Sequence, residues 1–330
     1  MKNTIELINP ENIVEMLVVG INAGNIKQEL PEIMQEPHDI MQSVFDVIIE
    51  SINRSDLATT RHGLRKLYLR IFKFLPIEGD DDRIYIFERF LNKIKRASLI
   101  AIQKEDEGIL YEIINVIEEI GIKICDGYSK TYFFQVINIL SFIGIRSIEA
   151  ELEGTTFWVF DALGNIGRKA ASNEMKEETE SVILILGRLG IIAISNKSNS
   201  GFIKLIKIFD DIGKIAVEKG LDDVCSKIAN GFCILYEDVP ALLLKEVIEG
   251  MVITLGNIGE SAANKGLYAT SYIIDALEVV GKKAAQNKQK QAIRLIIRSL
   301  ENIGKSGKIN GLLEAEDKAN KIMNQLQNNL

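Results

Sequence analysis

Histidine and cysteine, which supply many catalytic bases, nucleophiles and metal ligands, are scarce in this 330-residue sequence. The two histidines, His38 and His62, lie far along the chain from the three cysteines, Cys125, Cys225 and Cys233. The cysteines do not have the spacing of metal ligands. The motifs HExxH, GxSxG and GxxxxGK(S/T) do not occur in the sequence. We therefore predict a protein that is not an enzyme and has no catalytic residues, no metal site and no cofactor.

A second set of polar residues has a regular spacing that suits binding better than catalysis. Asparagine, aspartate or glutamate recurs about every 46 residues, at Glu119, Asn165, Asp211, Asn257 and Asn302. Side-chain amides and carboxylates can bind the backbone of a peptide, or they can join neighbouring parts of one fold. The column therefore supports two interpretations, a partner-binding surface and an internal hydrogen-bonded ladder.

Further residues share the face of this polar column if the chain is helical there. One turn before the column stand Asn115, Asp161, Lys207, Ile253 and Arg298, and Trp158 lies two turns before Asn165. For Trp158 the alternative interpretation is ordinary packing between helices. The candidate partner-binding residues are Trp158, Asp161, Asn165, Lys207, Asp211, Asn257, Arg298 and Asn302.

The elements that position these residues are indicated by glycines that recur every 23 residues, with one step of 22. The residues one, four and eight positions before each glycine are all apolar. Because these offsets share one face of an α-helix, each unit is predicted as one amphipathic helix and a short connection. The positions are Gly121, Gly144, Gly167, Gly190, Gly213, Tyr236, Gly259, Gly281 and Gly304.

A glycine inside a helix destabilises it by about 1 kcal/mol relative to alanine, so its recurrence requires an offsetting gain. Close approach of a neighbouring helix is one such gain, because a residue without a side chain lets two backbones cross tightly. Small residues three positions later support this interpretation, including Ala170, Ala216 and Ala262. The alternative is that each glycine ends its helix as a C-cap.

Alternate units differ in their polar residues, so the full repeat is predicted as two helices and about 46 residues. The segments 162–167 and 254–259 read ALGNIG and TLGNIG. They resemble the armadillo-family segment written A-L-x-N-I/L-A, and the wider pattern resembles HEAT repeats. The resemblance covers about residues 105–330 and implies an all-α, right-handed α-α superhelix of two-helix repeats.

In armadillo proteins the repeated asparagine lies on the inner helix, and its amide holds the backbone of an extended peptide. The resemblance therefore implies the same role for Asn165, Asn257 and Asn302, on a concave face lined by these helices. This sequence has Glu119 and Asp211 at the two other positions of the column, and it has no accompanying column of tryptophans.

The beginning of the chain does not follow the glycine spacing, although its apolar pattern predicts helices at about 38–53, 56–75 and 82–103. We predict that residues 1–104 form an N-terminal helical cap or a separate small helical domain, and that residues 105–330 form the solenoid. The cap is favoured because the end repeats of a solenoid must differ in order to shield its open core.

Composition agrees with a helical protein of the cell interior. Only 5 prolines occur, which suits long helices. The longest apolar run, Val182 to Ile194, is interrupted by Arg188 and is shorter than a membrane span. The N-terminal residues do not resemble a signal peptide, and cysteines are few, so we expect a cytoplasmic location.

Charge is unevenly distributed along this chain, whose formal net charge is −7. Residues 105–126 are strongly acidic, residues 280–308 are strongly basic, and a second basic stretch includes Arg61, Arg65 and Lys66. The overall acidic balance argues against nucleic acid as a partner. A membrane surface is open to contact only through the basic stretches.

These observations together predict a non-catalytic scaffold that binds a partner protein or peptide on its concave helical face. Two alternative functions also agree with the sequence. One is a regulatory or sensory helical domain of a larger signalling or membrane assembly. The other is a nucleic-acid-binding enzyme built on HEAT-like repeats.

Overall fold

The computed structural model describes residues 37–73, 81–127, 130–196, 199–238 and 244–328. Residues 1–36 of the predicted N-terminal part lie outside these ranges. Within them the chain forms thirteen α-helices and no strand. In chain order α1 to α13 are Pro37–Asn53, Leu57–Lys73, Asp81–Gln103, Glu107–Ile124, Lys130–Glu149, Glu153–Ser172, Lys176–Ser195, Asn199–Lys219, Asp222–Asp238, Leu244–Asn264, Ala269–Gln286, Lys290–Ile309 and Leu313–Gln327.

The helices form two layers, because each helix packs against the helix two positions away and, except between α2 and α3, against its neighbours in the chain. The even-numbered helices from α2 to α12 stack side by side in one layer, and the odd-numbered helices from α1 to α13 stack in the other. The prediction of an all-α solenoid with a two-helix repeat is confirmed.

The helices of the N-terminal part begin and end within two residues of the predicted limits. They also enter the same two layers, with α1 against α3, α2 against α4 and α3 against α5. Packing therefore continues from α3 into α4, on either side of residue 104. The division of the chain into two parts at that residue stays a prediction.

A continuous apolar core lies between the two layers. The residues one, four and eight positions before every glycine of the 23-residue series are buried, as the periodicity predicted. Ile120, Ile166 and Ile212, which occupy the same position in α4, α6 and α8, have no exposed surface. The helix assignment derived from these columns is confirmed.

The recurring glycines lie inside their helices and allow close packing between neighbours. A Cβ built on Gly167 would lie 2.8 Å from Ile212 Cδ1 in the next helix of the layer and 2.9 Å from Val182 Cγ1. The C-cap interpretation is wrong for this residue, which is five positions before the end of α6. Glycines with positive φ stand elsewhere, for example Gly220 and Gly266 just after α8 and α10.

Polar contacts between repeats satisfy backbone groups that helix ends leave without partners. Asn173 Nδ2 donates to the carbonyl oxygen of Cys125 at 2.6 Å, and Lys265 Nζ donates to that of Glu218 at 2.9 Å. The partners are 48 and 47 residues apart, which is one two-helix repeat. Each repeat is therefore joined to the next by hydrogen bonds as well as by apolar packing.

The last described helix, α13, packs in the same way as the earlier helices of the odd-numbered layer. A Cβ on Gly281 of α11 would lie 2.8 Å from Leu326, and one on Gly304 of α12 would lie 3.5 Å from Ala319. Thus α13 packs on both layers at once. Its buried residues are small or aliphatic, and its other side carries polar residues such as Asn320 and Asn324.

One helix of the described ranges, α5, is long and apolar enough to cross a membrane by length and composition, with a mean hydropathy of 1.3 over its best window. Its sequence does not contain the longest apolar run, because polar residues such as Gln135, Asn138 and Ser141 divide its apolar ones. In the solenoid, 61% of that window is buried. Phe133, Val136 and Leu140 of α5 lie in the core between the layers.

Candidate interaction surface

The outward surface of the even-numbered helices from α4 to α12, which we call the even face, carries the predicted site residues except Trp158, which lies at its border. It is defined by the positions ten, six and two residues before each glycine of that layer, and none of its fifteen residues is buried. By helix, they are Tyr111, Asn115 and Glu119; Phe157, Asp161 and Asn165; Ile203, Lys207 and Asp211; Glu249, Ile253 and Asn257; and Arg294, Arg298 and Asn302.

Part of the polar column forms a ladder between repeats. Asn165 Nδ2 donates to Glu118 Oε1 of α4 at 2.6 Å, and its Oδ1 accepts from Arg168. Arg168 Nη1 in turn donates to Asp211 Oδ2 of α8 at 3.0 Å. Burial raises the pKa of Glu118, partly countered by the hydrogen bond from Asn165. Asn165 and Asp211 thus connect three successive helices of the layer.

The C-terminal part of the same column is arranged differently. Asn302 Nδ2 donates to Glu260 Oε2 at 3.3 Å, which is a weaker link between α10 and α12. Asn257 is exposed, and its side chain makes no hydrogen bond to any other residue that the structure describes. Asn165 and Asp211 therefore belong to a ladder between repeats, whereas Asn257 is an exposed polar residue outside it.

Aromatic side chains lie beside the ladder on the even face. Trp158 is half-buried, and its ring meets that of Tyr111 edge-on, with centroids 4.9 Å apart. Phe157 is exposed, with Lys204 Nζ 4.5 Å from its ring centre. Lys204 also pairs with Asp161 at 2.6 Å. Trp158 and Asp161 are therefore fixed by contacts with the neighbouring repeats.

The sequence analysis missed a row of large apolar residues on this face. Tyr111, Phe157 and Ile203 occupy the same position in α4, α6 and α8 and are 39%, 38% and 60% exposed. Ile253 of α10, one helical turn further on, is 51% exposed. The signal in the sequence was the recurrence of apolar residues ten positions before Gly121, Gly167 and Gly213, on a face otherwise assigned to polar groups.

The thiols of the core are poor candidates for nucleophiles. Cys125 and Cys225 are buried, and burial raises the pKa of each thiol to about 12. Reactive cysteines require a lowered pKa and access to solvent, so neither thiol has the environment of a catalytic nucleophile. Among the described residues, histidine, cysteine, aspartate and glutamate form no group of three or more that could hold a metal ion.

Comparisons with known proteins give a likeness in fold. No protein-family model matches the sequence, and neither does any curated protein. Among solved structures, it is similar to a circular tandem repeat protein with novel repeat topology and enhanced subunit contact surfaces, with a TM-score of 0.54 and 14% identity. The match covers 97% of this chain and 82% of the other.

A second solved structure, described as a DHF58 filament, is 12% identical and aligns with a TM-score of 0.19 over 79% of this chain and 93% of the other. That score is too low to support a shared arrangement. At 14% identity, the first match concerns the fold alone. Together with the thirteen helices in two layers, it identifies the chain as an all-α helical repeat protein.

Proposed function

We propose that this helical repeat protein is a non-catalytic scaffold that binds a partner protein or peptide along the even face. The observation that carries the proposal is the row of exposed Tyr111, Phe157 and Ile203, with Trp158 beside it. Single exposed apolar residues are common on protein surfaces, but a row repeated over three helices is not explained by packing. Aromatic residues are enriched where proteins meet.

Packing within the layers supports a concave shape for the even face. A Cβ on Gly164 of α6 would lie 2.9 Å from Ile208 of α8, so these two helices approach closely. Gly187, at the same position relative to the repeat glycine in α7 of the odd layer, has nothing within 4 Å of its Cβ position. We infer that the even-numbered helices pack more closely and that the solenoid curves toward them.

A relation to the HEAT and armadillo classes is part of this proposal. The two-helix repeat of about 46 residues and the ALGNIG and TLGNIG segments support it. The side-chain amide of Asn165 already bonds to Glu118 and Arg168, so it is not available to bind a peptide as the asparagines of armadillo proteins do. Asn257 is the asparagine whose amide is open to the backbone of a bound peptide.

Photo-crosslinking in the native cell tests the proposal. Phe157→p-benzoylphenylalanine places a crosslinker on the even face, and Leu184→p-benzoylphenylalanine places one on α7, where Leu184 is 55% exposed. We expect a protein adduct from position 157 and not from position 184. The protein identified in that adduct should no longer bind the variant Phe157→Asp.

Two results would contradict the scaffold proposal. Adducts from position 184 alone would assign binding to the other layer. Nucleic acid crosslinked at position 157 would favour the enzyme alternative over the scaffold. Thermal melts of both crosslinker variants establish that each remains folded.

A further inference from the structure

We propose that the C-terminal half of the even face, formed by α8, α10 and α12, recognises an extended acidic segment of a partner protein. In that segment one aliphatic residue lies between two carboxylates. The inference rests on the proposed function, because it specifies the chemistry of the partner that the scaffold binds. It is carried by the distribution of paired and unpaired charges on the even face.

Three cations on the C-terminal half are exposed and form no ion pair with any described residue: Lys207, Arg294 and Arg298. Carboxylates close to them in sequence are already engaged. Asp211 pairs with Arg168 at 3.0 Å, and Glu301 pairs with Lys305 at 2.6 Å, although Arg298 also lowers the pKa of Glu301. The positive charge of the three side chains is therefore available to a ligand.

The N-terminal half of the even face, formed by α4 and α6, has no cation among its residues and carries the exposed carboxylate of Glu119. The other carboxylates on or beside it are engaged. Glu112 pairs with Arg61 at 2.6 Å, and Asp161 pairs with Lys204 at 2.6 Å. Glu118 accepts the hydrogen bond from Asn165. These carboxylates are compensated within the solenoid, so the N-terminal half offers mainly the exposed rings of Tyr111 and Phe157, beside Glu119. The unpaired cations that could select a partner by charge therefore lie on the C-terminal half.

Aliphatic surface lies among the unpaired cations. Ile253 occupies the same position in α10 as Lys207 in α8 and Arg298 in α12, and it is 51% exposed. Lys207, Ile253 and Arg298 thus form a row that crosses three helices in the order cation, aliphatic, cation. Glu249 of α10 adds a half-buried carboxylate beside Ile253. With Asp211 neutralised by Arg168, three cations and one anion leave a net charge of +2.

The spacing of this row defines the pattern of its ligand. Packed helices are about 8–10 Å apart, so the three side chains present contacts at roughly that interval. A polyproline II segment rises about 3.1 Å per residue and returns to the same face every third residue, or about every 9 Å. An extended ligand therefore matches the row with carboxylate, aliphatic and carboxylate side chains at every third position.

Peptide selection on the intact protein tests this inference. A library of random 12-residue peptides is displayed and selected on the wild type, on the triple variant Lys207→Glu/Arg294→Glu/Arg298→Glu, and on Arg188→Glu. Arg188 is an exposed cation of α7 in the other layer, so its variant is the matched control. We expect the wild type and the control to enrich acidic residues three positions on either side of Leu, Ile or Val.

A synthetic peptide with the enriched sequence then gives affinities. It is expected to bind the triple variant about tenfold more weakly, because several exposed charge pairs become repulsive. Binding should weaken as sodium chloride rises from 50 to 500 mM, because exposed charges are screened. Replacing both acids of the peptide by asparagine tests the same contacts without altering the protein.

Several outcomes would overturn the inference. If neutral or basic peptides compete with crosslinking at position 157, the acidic partner is refuted and the scaffold proposal is not. An unchanged affinity of the acidic peptide for the triple variant would also refute the acidic partner alone. Equal displacement by peptides without the aliphatic residue, by phosphatidylserine vesicles or by duplex DNA would show a general anion surface. A lack of both enriched peptides and protein adducts would refute both proposals.

Discussion

Two glycines in adjacent helices, Gly167 of α6 and Gly187 of α7, should respond oppositely to the same substitution. Each is inside its helix, so alanine should gain about 1 kcal/mol of helix propensity at either position. At Gly187 nothing lies within 4 Å of the new Cβ, and the whole gain should appear as added stability. Gly187→Ala is therefore the matched control for Gly167→Ala.

At Gly167 the new methyl group meets Ile212 Cδ1 at 2.8 Å and Val182 Cγ1 at 2.9 Å. Ordinary carbon–carbon contacts are about 3.5–4.0 Å, so the neighbours must retreat by about 0.6–1.2 Å. Valine is restricted about χ1 and yields poorly. Overpacking of this kind costs about 1–3 kcal/mol, so after the gain in propensity we expect a net loss of about 0–2 kcal/mol.

Urea unfolding followed by circular dichroism measures both shifts in one assay. Gly187→Ala should raise the unfolding midpoint, and the two variants should differ by about 1–3 kcal/mol, with Gly167→Leu still less stable. If the free energy of unfolding has the same dependence on urea concentration in both variants and the wild type, the substitutions have not changed the cooperativity of unfolding. If Gly167→Ala stabilises as much as Gly187→Ala, close packing is not the reason for the glycine series.

Two further predictions concern the ladder. Asn165→Ala should lower the free energy of unfolding by about 1–3 kcal/mol, because it leaves the half-buried carboxylate of Glu118 without its donor. Asn257→Ala should change that free energy by less than about 0.5 kcal/mol, because Asn257 is exposed. Equal effects of the two substitutions would refute the division of the column. Because burial raises the pKa of Glu118 above its ordinary 4.5, the folded state holds that proton more tightly, and this contribution to stability falls as pH rises through that region. Glu118→Gln should therefore flatten the decline in the unfolding midpoint from pH 4 to 7, and an unchanged pH profile would contradict it.

Much of the fold could be predicted from the sequence, because every repeat must bury the same helix positions and therefore shows the same pattern of apolar residues. The apolar columns before each glycine fixed the helical period and the buried side, and Ile120, Ile166 and Ile212 are buried accordingly. Leu326 of α13 meets Gly281 of α11, which lies 45 residues earlier, just as Ile212 of α8 meets Gly167 of α6. The repeat therefore extends through α13.

The surface was less predictable, because exposure and pairing depend on neighbours distant in sequence. Asn165 and Asn257 occupy equivalent positions, yet only Asn165 has Glu118 and Arg168 within reach. The row that includes Phe157 was missed because amphipathic analysis assigns apolar residues to the core. Which cations remain unpaired, such as Lys207, follows only from side-chain geometry across repeats.

The restriction of contacts to adjacent repeats has a consequence for how the chain reaches its native state. The hydrogen bonds from Asn173 and Lys265 to the preceding repeat close loops of only 48 and 47 residues in a chain of 330. Low contact order of this kind favours rapid folding, since little chain entropy is lost before each contact forms. During synthesis, every new helix pair can dock on a completed predecessor as it leaves the ribosome, without waiting for the C-terminus.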